Sequence, residues 1–254
     1  MPWSVRLAVP LLILTGGACG GNGASGRGGD GGPDEPGSDS APNPIYTIAL
    51  GTSACDDLSS AVVLEFGKTT HVTQYLDLPF SFPLFGETTT RFVIAEQGQV
   101  FLGGLLFAVT GGEPQEPPNV VIPNGWVAPF WDSRITYLAN VRGDARVLRT
   151  GAGADERFVV GFNDYTILFP SDVVLNPDVH LSFQVALLRQ SKEIEFRYCR
   201  LDPGPNPSPE LRDRVLGGAA EIGLESGDGT RGVSYSFKKP LESAGISIRF
   251  TPVP

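Results

Sequence analysis

Two stretches in the C-terminal half of the chain alternate with a period of two. Phe183, Val185 and Leu187 fall on one side while Ser182, Gln184 and Ala186 fall on the other. After a reversal at residues 189–192, Ile194, Phe196 and Tyr198 alternate with Glu193, Glu195, Arg197 and Cys199. Period two is the mark of a strand with one buried face, because successive side chains leave opposite sides of the pleat. Two such strands joined by a short reversal form a hairpin. This pair is therefore expected at the centre of an antiparallel sheet.

The remainder of residues 45–254 reads in the same way, as short apolar runs punctuated by turn residues. Strands are expected at 45–50, 62–66, 71–77, 91–96, 100–102, 127–132, 135–138 and 145–149. More follow at 157–163, 179–188, 193–201, 219–225, 232–237 and 246–251. Gln97-Gly98-Gln99 reads as a hairpin turn, its glycine open to positive φ. Residues 79–86 read as a turn region. Residues 105–125 read as an irregular insertion, since Gly111-Gly112-Glu113-Pro114 and Glu116-Pro117-Pro118-Asn119 interrupt regular structure. Only 209–216 reads as helical, with Ser208 as N-cap and Gly217-Gly218 as the stop. The expected fold is all-β: one domain, a two-sheet antiparallel β-sandwich with long loops and at most one short helix.

Ahead of this domain lies a different kind of sequence. Arg6 precedes an apolar run over residues 7–14, and the small residues Gly16-Gly17-Ala18 lead to Cys19. Such an order describes an export signal whose apolar run is too short to span a bilayer. Small residues directly before a cysteine resemble a bacterial lipobox, in which the thiol is acylated and becomes the new N-terminus. Gly16 stands where that motif usually has Leu, and an ordinary signal peptide cleaved nearby is the alternative. Residues 20–44, mostly Gly, Ser, Asp, Pro and Asn, carry too little apolar surface to offset the entropy of ordering. They are expected to be a disordered tether. The expected localisation is the outer membrane or cell surface, with the membrane reached through lipid on Cys19; a secreted or periplasmic protein is the alternative.

Export bears on the two remaining cysteines, Cys55 and Cys199. In an oxidising compartment a disulfide is the default. Cys199 shares the phase of Glu195 and Arg197, away from the core face, so it could staple a strap around Cys55 across the outside of the sheet. Two free thiols are the alternative.

Formal charge is −9 and the basic residues are scattered singly. That excludes the clustered Lys and Arg of a nucleic-acid surface. Catalysis has little to stand on. The two histidines, His71 and His180, lie in expected strands away from any nucleophile elbow, and Glu193 with Glu195 reads as a solvated pair. No zinc-ligand spacing or phosphate-binding glycine loop occurs, so no metal or cofactor is expected. Asp56-Asp57, Asn163-Asp164 and Asp228 could be gathered around calcium, but none has calcium-loop spacing and turns account for them more simply. Two residues are candidate ligand contacts. Trp126 stands beside Asn124-Gly125 in the insertion, and Asp132 ends Ala128-Pro129-Phe130-Trp131-Asp132. There the aromatics either fill the inter-sheet core, with Asp132 capping the next turn, or stack on a sugar.

In order, the chain presents Pro79-Phe80-Ser81-Phe82-Pro83-Leu84-Phe85-Gly86, residues 91–95, and Val100-Phe101-Leu102-Gly103. Then come Ala128-Pro129-Phe130-Trp131-Asp132, Phe183-Gln184-Val185, residues 194–198 and Ile222-Gly223-Leu224-Glu225. This series resembles the NIDO-type domain, the extracellular module of nidogen, tectorin and mucin-like proteins, with relatives in bacterial surface proteins and lipoproteins. The resemblance runs over roughly residues 72–252. The family usually has Ser-Asn before the hairpin glycine, where this chain has Glu96-Gln97. A second acidic residue often follows the Trp-Asp pair, where this chain has Ser133. The resemblance implies a sandwich used for adhesion or matrix contact and no reaction. The expected function is thus a non-catalytic surface binding or adhesion module for an extracellular protein. A glycan-binding accessory domain is the runner-up and an extracytoplasmic hydrolase comes third.

Overall fold

Fourteen strands and one helix alternate with turns, in a computed structural model that describes residues 45–67, 71–103, 112–137, 142–171 and 174–253. The export-signal, Cys19 and tether readings lie outside the described residues.

The larger sheet takes β1 (Ile45–Gly51), β14 (Ser247–Val253), β11 (Ile194–Asp202), β10 (His180–Leu188), β9 (Arg157–Ile167), β8 (Asp144–Thr150) and β2 (Val62–Leu64), in that spatial order. The short β7 (Ile135–Thr136) pairs with β9 off this path. The smaller sheet runs β13 (Gly232–Phe237), β12 (Glu221–Glu225), β6 (Trp126–Trp131), β5 (Gln99–Leu102), β4 (Glu87–Ala95), β3 (Leu76–Leu84). Every pairing is antiparallel. The expected β10–β11 hairpin does sit inside its sheet, flanked by β9 and β14.

Between the sheets the alternating positions meet as expected. Phe183, Val185, Leu187, Ile194, Phe196 and Tyr198 face Phe82, Phe92, Ile94, Val100, Val127, Phe130 and Ile222 in one apolar cluster. Phe130 stacks on Phe183 with ring centroids 5.5 Å apart, and Phe183 on Phe162 at 4.7 Å. Such offset pairs add about 0.5–1.5 kcal/mol beyond the area they bury. The helix α1 (Pro209–Val215) forms with Ser208 as its N-cap, whose hydroxyl oxygen accepts from the Leu211 amide at 3.2 Å. Its buried side chains Leu211 and Val215 join the core.

β6 carries a bulge. Glu221 pairs with Trp131 and Gly223 with Ala128, so the single residue Ile222 on β12 lies opposite two, Pro129 and Phe130, on β6. The extra residue brings Ala128 and Trp131 to the same face while Val127 and Phe130 stay in the core. The Pro129 carbonyl at the bulge accepts a hydrogen bond from the Tyr198 hydroxyl at 2.7 Å, a link from β11 across the sandwich. The hairpin glycine lies against the same strand: at φ +90°, Gly98 would place a Cβ 2.1 Å from the Phe130 carbonyl oxygen, so only glycine fits.

Outside the larger sheet, a strap at residues 52–58 is held down covalently and by charge. Cys55 and Cys199 form a disulfide, as the strand phase predicts. The Asp56 amide donates to Gln184 Oε1, and Gln184 Nε2 donates back to the Asp56 carbonyl, both at 2.9 Å. The Asp56 carboxylate meets Arg157 and Arg197; Glu195 meets Arg197, Arg249 and the Ser53 hydroxyl. Glu195 is only 1% exposed, because the strap covers it; the solvated-pair reading is overturned there. Burial pushes Asp56 and Glu195 up, but the facing guanidiniums, and for Glu195 the Ser53 hydroxyl, outweigh it and hold both below the usual carboxylate range. Their contribution to stability is present at neutral pH and is lost as pH falls through the lowered folded values.

Two local expectations fail. Residues 71–75 form no strand beyond a single bridge from Val72 to Ala95, and residues 76–84 are a strand rather than a turn region. Pro79 and Pro83 are tolerated because β3 is an edge whose register breaks between Asp77 and Phe82.

The Tyr198 link yields a direct test. Tyr198→Phe leaves a buried carbonyl unpaired and should destabilise the domain by about 1–3 kcal/mol in urea unfolding, with an unchanged m-value.

Candidate functional site

The smaller sheet is apolar on both faces. Trp126, Ala128 and Trp131 form a second cluster with Phe101, and Val72, Val93 and Ala95 form a third beside it. Both lie on the side away from the larger sheet, as strand alternation and the bulge require. The two indoles meet edge to face at 5.4 Å. Trp131 is therefore buried on the outer face and does not fill the inter-sheet core; of the adjacent aromatics only Phe130 does.

β12 adds two carboxyls to this outer face. Glu221 and Glu225 are 0% and 1% exposed, on either side of Gly223, where a Cβ would lie 2.5 Å from Glu221 Oε1. Glu221 Oε2 accepts from the Ser234 hydroxyl at 3.2 Å, while its Oε1 is buried without a partner. Trp131 Nε1, on the residue paired with Glu221, is likewise buried and unpartnered, as is Gln99 Oε1. No cation reaches either glutamate among the described residues. Burial pushes Glu221 up to about 9 against the opposing Ser234 hydroxyl, with Glu116 and Glu225 adding to the rise. Burial also carries Glu225 to about 8, resisted by the Asn119 amide and Trp126. Both are carboxylic acids at neutral pH, so burying them avoids the far larger penalty of an unpaired charge.

The cover over this face is the segment at residues 112–125, whose Pro114, Pro117 and Pro123 are buried. It is held at several points. The Asn119 amide donates to Glu225 Oε1 at 2.8 Å, Trp126 Nε1 donates to the Pro123 carbonyl at 3.1 Å, and the Gly125 amide donates to the Ser226 carbonyl at 2.9 Å. The Asn119 side chain accepts from the Val121 amide at 2.9 Å. With its amide oriented to satisfy its neighbours, Asn124 donates to the carbonyls of Asn119, Val121 and Pro123. Between these ties, Val120, Val121 and Ile122 stand 68%, 58% and 52% exposed. Three consecutive β-branched aliphatics at the tip of a tied loop form an exposed apolar surface.

Of the two candidate contacts, both are enclosed. Trp126 is 0% exposed beneath the loop, and so offers no ring face to a ligand. Asp132 is also 0% exposed. Its Oδ1 accepts from the Arg134 amide at 2.8 Å, capping the next turn, and pairs with Arg214 of α1, while Oδ2 has no partner. Burial raises the Asp132 pKa more than Arg214 lowers it. Ser133, where the family often has an acid, donates to Glu113 of the loop at 3.1 Å.

The histidines serve separate pairs. His71 Nδ1 lies 2.6 Å from Glu96, which also accepts from Thr136; His180 Nδ1 lies 2.5 Å from Asp164, beside Arg142. Neither ring meets a serine hydroxyl among the described residues. The carboxylates considered for calcium are dispersed: Asp56 in the strap, Asp164 on His180, Asp228 in a turn where it accepts from Ser226 and Thr230. Those donors hold Asp228 down at about 2.

The chain matches the family described as NIDO related over residues 45–251. It belongs to that family. No curated protein and no solved structure matches it. Membership suggests a module of the extracellular binding type. The Gly-Leu-Glu end of β12 is part of the sequence pattern carrying the resemblance, yet the pairing of Glu225 with a loop amide was not readable from it. The one available signal was an acid at the outward phase of an otherwise apolar strand.

Glu221 makes the closed face sensitive to base. Its folded pKa lies above its unfolded one, so the folded state binds the proton more tightly. Stability contributed by the neutral acid is full below about 4.5 and falls by up to about 1.4 kcal/mol per pH unit until about 9. Glu221→Gln cannot ionise. Its urea midpoint should gain on the native chain between pH 6 and pH 9, and an equal difference at both would contradict the assignment.

Proposed function

We propose that this protein is a non-catalytic cell-surface binding or adhesion module, exported and tethered through a lipid on Cys19. The observation carrying the reading is the apolar tip Val120-Val121-Ile122, exposed yet tied at its base by Glu225, Trp126 and Asn124. A contact surface ordered before binding loses little entropy on association, and apolar side chains at a rigid tip suit an apolar recess in a protein partner. The Cys55–Cys199 disulfide supports an oxidising, extracytoplasmic location. The small residues ahead of Cys19 support the anchor.

The glycan reading has its own observation, at a different place. A groove of about 480 Å³ lies along Tyr75, Glu87, Thr88, Thr89, Thr90 and Arg91, with the Arg91 guanidinium 4.5 Å from the Tyr75 ring centre. Hydroxyls, one carboxylate, one guanidinium and an aromatic ring are the groups that recognise a neutral sugar.

The anchor is tested by feeding an alkyne-tagged fatty acid to expressing cells: label should enter the protein and vanish in Cys19→Ser. For the contact, replacing Val120, Val121 and Ile122 together by Ser should abolish adhesion of cells bearing the protein without moving its melting temperature. Loss of adhesion instead in Tyr75→Ala, with competition by a neutral oligosaccharide, would favour the groove.

A further inference from the structure

A sandwich has four sheet edges, and three of these are guarded. β2 is only three residues long. β3 carries Pro79 and Pro83 and a register break between Asp77 and Phe82. β13 faces a register break at Ile222/Gly223, and Pro117 and Pro118 lie against its first residue, Gly232. Short length, proline, bulges and overlying loops are the means by which proteins keep strand edges from pairing.

Among the described residues β1 has none of these guards. Its residues Ile45-Tyr46-Thr47-Ile48-Ala49-Leu50-Gly51 pair with β14 over seven consecutive positions without a break, and include no charge and no proline. Among the described residues no strand lies beyond it. Tyr46, Ile48 and Leu50 share a face. Tyr46 is buried against Phe85 with centroids 5.0 Å apart, whereas Ile48 is 36% and Leu50 59% exposed. On the other face Ile45 and its partner Val253 are 74% and 40% exposed. The edge therefore offers backbone donors and acceptors beside uncovered aliphatics on both faces.

We propose that β1 is a self-association edge, on which two copies of this chain pair β1 antiparallel to β1 about a two-fold axis at Ile48, joining their larger sheets. A two-fold interface must be complementary to itself. The register centred on Ile48 meets that condition: Tyr46 faces Leu50 of the other copy, Thr47 faces Ala49, Ile45 faces Gly51, and the two Ile48 side chains meet on the axis. Opposed residues share a face, so the half-exposed Ile48 and Leu50 gain apolar neighbours from the second copy. The strand itself is uncharged, so this register sets no like charges opposite one another although each copy carries −9. The proposal is independent of the loop tip and of the anchor.

Sedimentation velocity of the full chain tests it. The native chain should shift from monomer to dimer as its concentration rises towards about 100 µM, and Ile48→Lys, which sets two ammonium groups on the axis, should weaken the dimer at least about tenfold. Val63→Lys on the guarded β2 edge should leave it unchanged. In the native chain, hydrogen exchange at β1 amides should slow with rising concentration, a readout that does not depend on the variant folding. A native chain that stays monomeric, a dimer that survives Ile48→Lys in a folded protein, or exchange independent of concentration would each overturn the proposal.

Discussion

All six residues of β6 are buried, and that constraint organises the rest of the molecule. One face closes against the larger sheet through Val127 and Phe130; the other, through Trp126, Ala128 and Trp131, needs a second cover. The bulge supplies the extra residue that turns Trp131 outward, and the Tyr198 hydroxyl satisfies the carbonyl the bulge exposes. Once two indoles and two carboxyls occupy the outer face, the loop at 112–125 must lie over them. Its exposed tip then follows from where its buried prolines and its ties to Glu225, Ser226 and the Trp126 indole hold it.

The two sheets cover their outer faces by opposite electrostatic means. Over the larger sheet, carboxylates and guanidiniums alternate beneath a disulfide-bonded strap, and Asp56 and Glu195 remain charged because Arg157, Arg197 and Arg249 face them. Over the smaller sheet no guanidinium meets Glu221 or Glu225 among the described residues, so burial leaves those two protonated. Acid weakens the first face and base the second, which confines the fully closed domain to the range between. The unpaired face depends on exclusion of water by the proline-rich loop.

Several of these features were legible beforehand. The β10–β11 hairpin, the disulfide on the outward phase of β11, the Ser208 cap and the glycine at position 98 each follow from a local rule of period, phase or φ, and each is found. The misreadings share one cause. Residues 79–86 looked like a turn because proline counts against a strand, and only the place of Pro79 and Pro83 at an edge makes those prolines harmless. Glu195 looked solvated because its phase points outward, and only a strap more than a hundred residues earlier in the chain buries it. Trp126 looked partly available because it ends a loop, and only the fold of that loop back over β6 encloses it.

Sequence alone determined the fold class, the central hairpin and the family, because alternation and turn chemistry act between residues a few positions apart. Which outward faces stay wet was decided only by tertiary structure. A strand's phase says that a side chain leaves the core, whereas the loop or strap that meets it arrives from a distant part of the chain. The acidity of Glu221, the enclosure of Asp132 and the bareness of β1 are all consequences of what does or does not lie across them.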